Sequence, residues 1–135
     1  MPVVDASVVV AYFRAGDAGH RRSRDWWQAA AERGELLDAP AILLAEVGAA
    51  LARSTGDEAL AAAAVELLSG GDVLELHSVD SGLARHAARI GIHQRVRGAD
   101  AVYLALAQYL DEPLITLDRQ QIERSGDGVE VREPG

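Results

Sequence analysis

Apolar positions along the chain alternate between short unbroken runs and longer stretches at helical spacing, and the two kinds of segment follow one another in a regular order. Val3 and Val4 read as a strand, and Ser7 to about Arg14 reads as a helix. A continuous strand from Val3 to Phe13 would far exceed the usual ~5–6 residues. A second helix is expected over His20 to Arg33, stopped by Gly34, and "ELLDAP" then forms a short strand ending at Pro40. "AILLAEVGAALAR" and "DEALAAAAVELL" are helical, the second capped by Asp57 and ended by Gly70 and Gly71. "DVLELHSV" alternates as a strand does, and Ser81 to Ile90 forms a helix. A polar loop to Gly98, a helix from Ala99 to Leu110, the strand "PLITL", a short helix near Gln121 and a final "VEVR" strand complete the series. Strands separated by helices predict a mainly parallel sheet, of four or five strands, covered on both faces.

With 135 residues, about half of them apolar, one domain spanning 1–135 is expected. There is no cysteine, which excludes disulfides, thiolate zinc sites and thiol catalysis, and fits a cytoplasmic protein. No stretch approaches the ~18 apolar residues of a membrane span, so neither insertion nor export is expected. All 13 basic residues are arginine. The absence of lysine removes phosphate-loop nucleotide binding and Schiff-base chemistry. The net charge of −8 is the opposite of a broad basic nucleic-acid face.

Four carboxylates stand where carboxylates are costly or telling. Asp5 follows "VV" and Asp118 follows "LITL", so both lie at the carboxyl ends of expected parallel strands, where ligands bind in open α/β sheets. Each has a structural explanation as well: Asp5 as a helix cap, Asp118 with Gln121 as a capping box. Glu46 projects from a mostly apolar helix, either into the fold or towards a partner such as Arg53. Asp100 suits the first turn of its helix. If the four meet, each pair ~5 Å apart repels by about 3 kcal/mol at an effective dielectric near 20, more than a cap contributes. Such a cluster requires a proton or a cation, and oxygen-only ligands select Mg²⁺ or Mn²⁺ over zinc. His20, His77, His86 and His93 lack the paired spacing of a metal-binding helix, and no serine sits in a G-x-S-x-G elbow.

"VVDASVVVAYF", "LLAEVGAALAR" and "GADAVYLALAQYLDEPLITLDRQ" resemble, in order, the acidic motifs of the PIN-domain nucleases, and more narrowly of the VapC toxins of toxin–antitoxin pairs. The resemblance implies a three-layer α/β/α sandwich and a Mg²⁺- or Mn²⁺-dependent endoribonuclease. It places Asp5, Glu46, Asp100 and Asp118 at the family's acidic positions, with Asp5 and Asp100 the nearest metal ligands. Ser7 and Thr116 are candidate supporting hydroxyls, and Arg14, Arg97 and Arg119 candidate contacts to RNA phosphates. A homodimer and a small inhibitory antitoxin are also implied. Trp26 and Trp27 point about 100° apart on one helix, so one is expected in the core and the other at an edge or in an apolar groove with Tyr12 or Phe13. Two readings compete: a catalytically silent PIN-like interaction scaffold, and an aspartate-nucleophile phosphatase, against which the missing lysine and Ser7 at the second acid's place both argue.

Overall fold

A computed structural model describes residues 1–124 and 128–135. Ser125, one of the serines considered above, lies outside them. The elements run β1 (Val3–Val4), α1 (Ala6–Phe13), α2 (His20–Glu32), β2 (Leu37–Pro40), α3 (Leu43–Thr55), α4 (Glu58–Ser69), β3 (Leu74–His77), α5 (Ser81–Gln94), α6 (Gly98–Leu110), β4 (Leu114–Ile115), α7 (Arg119–Arg124) and β5 (Val131–Arg132). The five strands form one sheet in the order β3-β2-β1-β4-β5, with every neighbouring pair parallel. Each crossover is helical, as parallel pairing requires.

Successive strand residues point to opposite faces. Val3 and Val4, and likewise Leu114 and Ile115, are fully buried, so helices cover both sides of the sheet as expected. The heaviest cover comes from α6, which packs against β1, β2 and β4 and buries Ala101, Tyr103, Leu104, Ala105, Leu106 and Ala107. Burying a side chain the size of Leu104 or Leu106 stabilises the fold by about 1.5–3 kcal/mol each. The sheet therefore holds the ends of β1 and β4 side by side, with Val3 opposite Leu114 and Val4 opposite Ile115. Backbone bonding continues one step further, from the Asp5 N–H to the Ile115 carbonyl at 2.9 Å.

Several local signals act as anticipated. Asp57 caps α4 by accepting from the Leu60 N–H at 3.0 Å. Gly34 and Gly71, the chain's exits from α2 and α4, take φ of 71° and 83°, which a Cβ disfavours. Two boundaries differ from expectation. The helix expected to stop at Ile90 runs to Gln94, where Arg95 at φ 57° caps it with its N–H on the Gly91 carbonyl. "PLITL" contributes only Leu114 and Ile115 to the ladder. The Trp pair divides as its geometry demands: Trp27 is buried and Trp26 lies at the margin of the core. Among the described residues, no helix is long and apolar enough to cross a membrane.

Candidate functional site

Asp5 leaves β1 in extended conformation and caps α1, so its carboxylate is fixed where the central strand ends. Its Oδ2 accepts from the Ser7 N–H at 3.2 Å, the Ser7 hydroxyl at 2.7 Å and the Thr116 hydroxyl at 3.0 Å. Both hydroxyls in turn accept backbone N–H groups from the exit of β4: Leu117 donates to Ser7 Oγ and Asp118 to Thr116 Oγ1, each at 3.0 Å. Capping and convergence are therefore one arrangement, which locks the ends of β1 and β4 together and concentrates the donors on a single oxygen of Asp5.

Glu46 enters from the first turn of α3. It does not pair with Arg53; its Oε1 accepts a 2.6 Å bond from the hydroxyl of Tyr103, a residue fully buried on α6. Burial pushes the Glu46 carboxyl above its ordinary range, the Tyr103 bond pulls it back, and the charges of Asp5 and Asp100 push it further up. Asp100, in the first turn of α6, is raised by burial and by Asp5 and Asp118, against the pull of Arg97. The phenol of Tyr103 is held far above its usual value by burial and by Glu46, so it remains a donor.

Asp118 lies at the mouth of β4, where its Oδ1 accepts from the Gln120 N–H at 2.9 Å. The reciprocal half of the expected capping box is not made. The Asp118 N–H is taken by Thr116, while Gln121 turns inward, almost fully buried, with Nε2 3.5 Å from Thr116 Oγ1. Arg97 bridges the last two acids, Nε to Asp100 Oδ2 at 3.0 Å and Nη2 to Asp118 Oδ2 at 2.8 Å.

The four acids thus surround one region, each interacting electrostatically with at least one of the others. Beside it opens a cleft of about 720 Å³ lined by Ser7, Asp17, Glu46, Arg53, Leu117 and Asp118 among others. No histidine or thiol enters, so the donor set suits a hard divalent ion such as Mg²⁺ or Mn²⁺. No three of the acids yet present oxygens all within 4.8 Å of one another among the described residues. The group that does is Asp38, Glu75 and His77, on β2 and β3, where His77 Nε2 lies 2.8 Å from Asp38 Oδ1.

Of the candidate arginines, only Arg97 touches the acids. Arg14 is 4.0 Å from Asp17, and Arg119 pairs with Glu133 at 3.6 Å. Arg53, read above only as a partner for Glu46, lines the cleft instead. Tyr103 was missed, although its place three residues after Asp100, on the same helical face, was available as a signal. His77 was passed over because Asp38, which it meets across the sheet, lies 39 residues away in sequence.

A family model for the PIN domain matches residues 3–126. The chain belongs to the PIN domain family. Solved structures superpose along nearly its whole length. VapC20 of Mycobacterium tuberculosis, a toxin that cleaves the sarcin–ricin loop, matches with a TM-score of 0.80 at 21% identity, covering 96% of this chain and 98% of that one. VapBC2 of Rickettsia felis, bound to a DNA fragment from its promoter, gives 0.73 at 10% identity, covering 97% and 96%. DNA-bound VapBC of Salmonella typhimurium gives 0.72 at 16% identity, covering 100% of both chains. No curated protein sequence matches significantly. At these identities the likeness establishes the PIN fold: a parallel five-stranded sheet between helices.

Proposed function

We propose that this PIN domain is a Mg²⁺- or Mn²⁺-dependent endoribonuclease acting as the toxin of a type II toxin–antitoxin pair, with residues 1–135 working as one unit in the cytoplasm. The observation that carries the reading is the meeting of Asp5, Glu46, Asp100 and Asp118 at the carboxyl ends of the central strands, beside an open cleft.

Asp5 and Asp100 would hold the ion, with Glu46 and Asp118 binding directly or through water. When bound, the ion supplies an activated water and an electrophile for a phosphoryl oxygen. The chain's own residues supply position. Ser7 and Thr116 fix Asp5, so that a carboxylate in a buried setting does not rotate away. Tyr103 fixes Glu46, whose raised proton affinity suits it to orient, or take a proton from, an attacking water. Arg53 on the cleft wall, with Arg14 4.0 Å from the cleft residue Asp17, offers planar donors for neighbouring phosphates of an RNA strand, which an acidic protein otherwise repels.

An antitoxin and a second copy of the chain are the partners this reading requires. The apolar groove lined by Tyr12, Phe13, Trp27, Leu67 and Val73 supports a bound antitoxin segment. The neighbouring structures from Rickettsia felis and Salmonella typhimurium are themselves VapBC assemblies on DNA.

The test pairs cleavage with stability. Single-stranded RNA incubated with the protein should be cut internally with Mg²⁺ or Mn²⁺ and remain intact with EDTA. Either ion should raise the melting temperature. Asp100→Asn should abolish the cleavage and shrink the metal-induced shift. A protein indifferent to metal and inert towards RNA would instead be the silent scaffold.

A further inference from the structure

Arg97 occupies the place a shared cation would need. Its guanidinium lies between Asp100 Oδ2 and Asp118 Oδ2, 3.0 Å from one and 2.8 Å from the other. The other oxygen of Asp118, Oδ1, already accepts from the Gln120 N–H. Arg97 takes the remaining Asp118 oxygen.

Spacing points the same way. Oxygens bound to one Mg²⁺ at about 2.0–2.1 Å lie no more than roughly 4.2 Å apart. Among the described residues, no three of the four acids come within 4.8 Å of one another. An ion taken directly by three of them would draw the carboxylates together, and a planar guanidinium stands between two of them. Arg97 cannot vacate that position by losing its proton, since arginine stays charged at any ordinary pH. It can leave only by moving.

The Arg97 side chain is 73% exposed, and it sits at the N-cap of α6, ahead of the packed part of the helix. Exposed ion pairs are weak contacts, which a divalent ion shared by several carboxylates outcompetes.

We propose that Arg97 is the exchangeable counter-ion of this site: it neutralises Asp100 and Asp118 while the metal is absent and is displaced from both carboxylates when a divalent cation binds. Arg97 is on this view a positioning residue, acting through the two acids. The proposal rests on the metal-site reading above, and the experiment separates the two.

The experiment follows Arg97 directly. In ¹⁵N-labelled protein, the Nε–H resonance of Arg97 is assigned by its absence from Arg97→Ala and followed as Mg²⁺ is added. It should move towards the position of solvent-exposed arginines in proportion to Mg²⁺ occupancy. Mn²⁺ titrations should show Arg97→Ala binding about three- to thirtyfold more tightly than the parent, the effect of removing two exposed ion pairs that the metal no longer displaces. Arg119→Ala, which removes an equally exposed arginine paired with Glu133, should change Mn²⁺ affinity less than about twofold. A metal that binds while the Arg97 resonance stays fixed, or an unchanged affinity in Arg97→Ala, overturns the exchange and leaves the metal site standing. If neither protein binds Mg²⁺ or Mn²⁺, the metal-site reading falls, and the exchange with it.

Discussion

Tyr103→Phe removes one atom and tests how Glu46 is held. Tyr103 is fully buried, and its hydroxyl donates to Glu46 Oε1 at 2.6 Å. A hydrogen bond to a charged group contributes about 1.5–3 kcal/mol, whereas one to a neutral group contributes about 0.5–1.5. For a domain of this size, each kcal/mol moves the melting temperature by roughly 3–5 °C. The variant should thus melt about 5–15 °C lower at pH 7.5 in EDTA, well above the ordinary carboxylate range. Since the bond also restrains Glu46 from rising further, its loss should raise the carboxyl's proton affinity. Acidification to pH 4 neutralises Glu46 in both proteins, so the difference should fall to about half. Melting followed by circular dichroism at both pH values measures this directly. A variant melting within about 1 °C of the parent at pH 7.5, or losing as much at pH 4 as at pH 7.5, would refute a charge-assisted bond.

Other consequences are as direct. Because burial and neighbouring charges raise Glu46 and Asp100, the folded protein binds protons more readily there than the unfolded chain does. Their contribution to stability is full below the ordinary carboxylate range and is lost as pH rises through their raised values. Melting curves in EDTA should show this loss, and Glu46→Gln should flatten it. A saturating divalent ion should offset the loss, since metal binding strengthens as the ligands deprotonate. Thr116→Val should cost about 1–3 kcal/mol by leaving the Asp118 N–H without its acceptor and Asp5 without one of its donors, and Thr116→Ser should recover most of it in chemical denaturation. If Arg53 meets RNA phosphate, Arg53→Ala should make the dependence of log kcat/KM on log salt shallower by about 0.7, and an unchanged slope removes it from the interface.

Much of the architecture was readable in one dimension because the forces that select it are local. The alternation of β and α segments, the Asp57 cap and the glycine exits depend on residues within a turn or two of one another. Two element ends were read differently from where the fold puts them. The helix passes Ile90 to a left-handed Arg95 cap, and the Asp118 N–H that a capping box would use goes to the Thr116 hydroxyl two residues back, itself held by Asp5 at the end of the neighbouring strand.

The candidate site divides the same way. Placement at strand ends and on an apolar helix made Asp5, Asp118 and Glu46 conspicuous, since carboxylate burial is costly wherever it occurs. Residue types alone settled which acids were available, and their oxygen chemistry favours a hard cation. Tertiary structure alone decided that Tyr103 would anchor Glu46, that Ser7 and Thr116 would join Asp5 to the end of β4, and that Arg97 would bridge Asp100 and Asp118. The physical reason is distance: these contacts link residues far apart in the chain, and their geometry exists only once the parallel sheet has set β1 beside β4 and α6 across them.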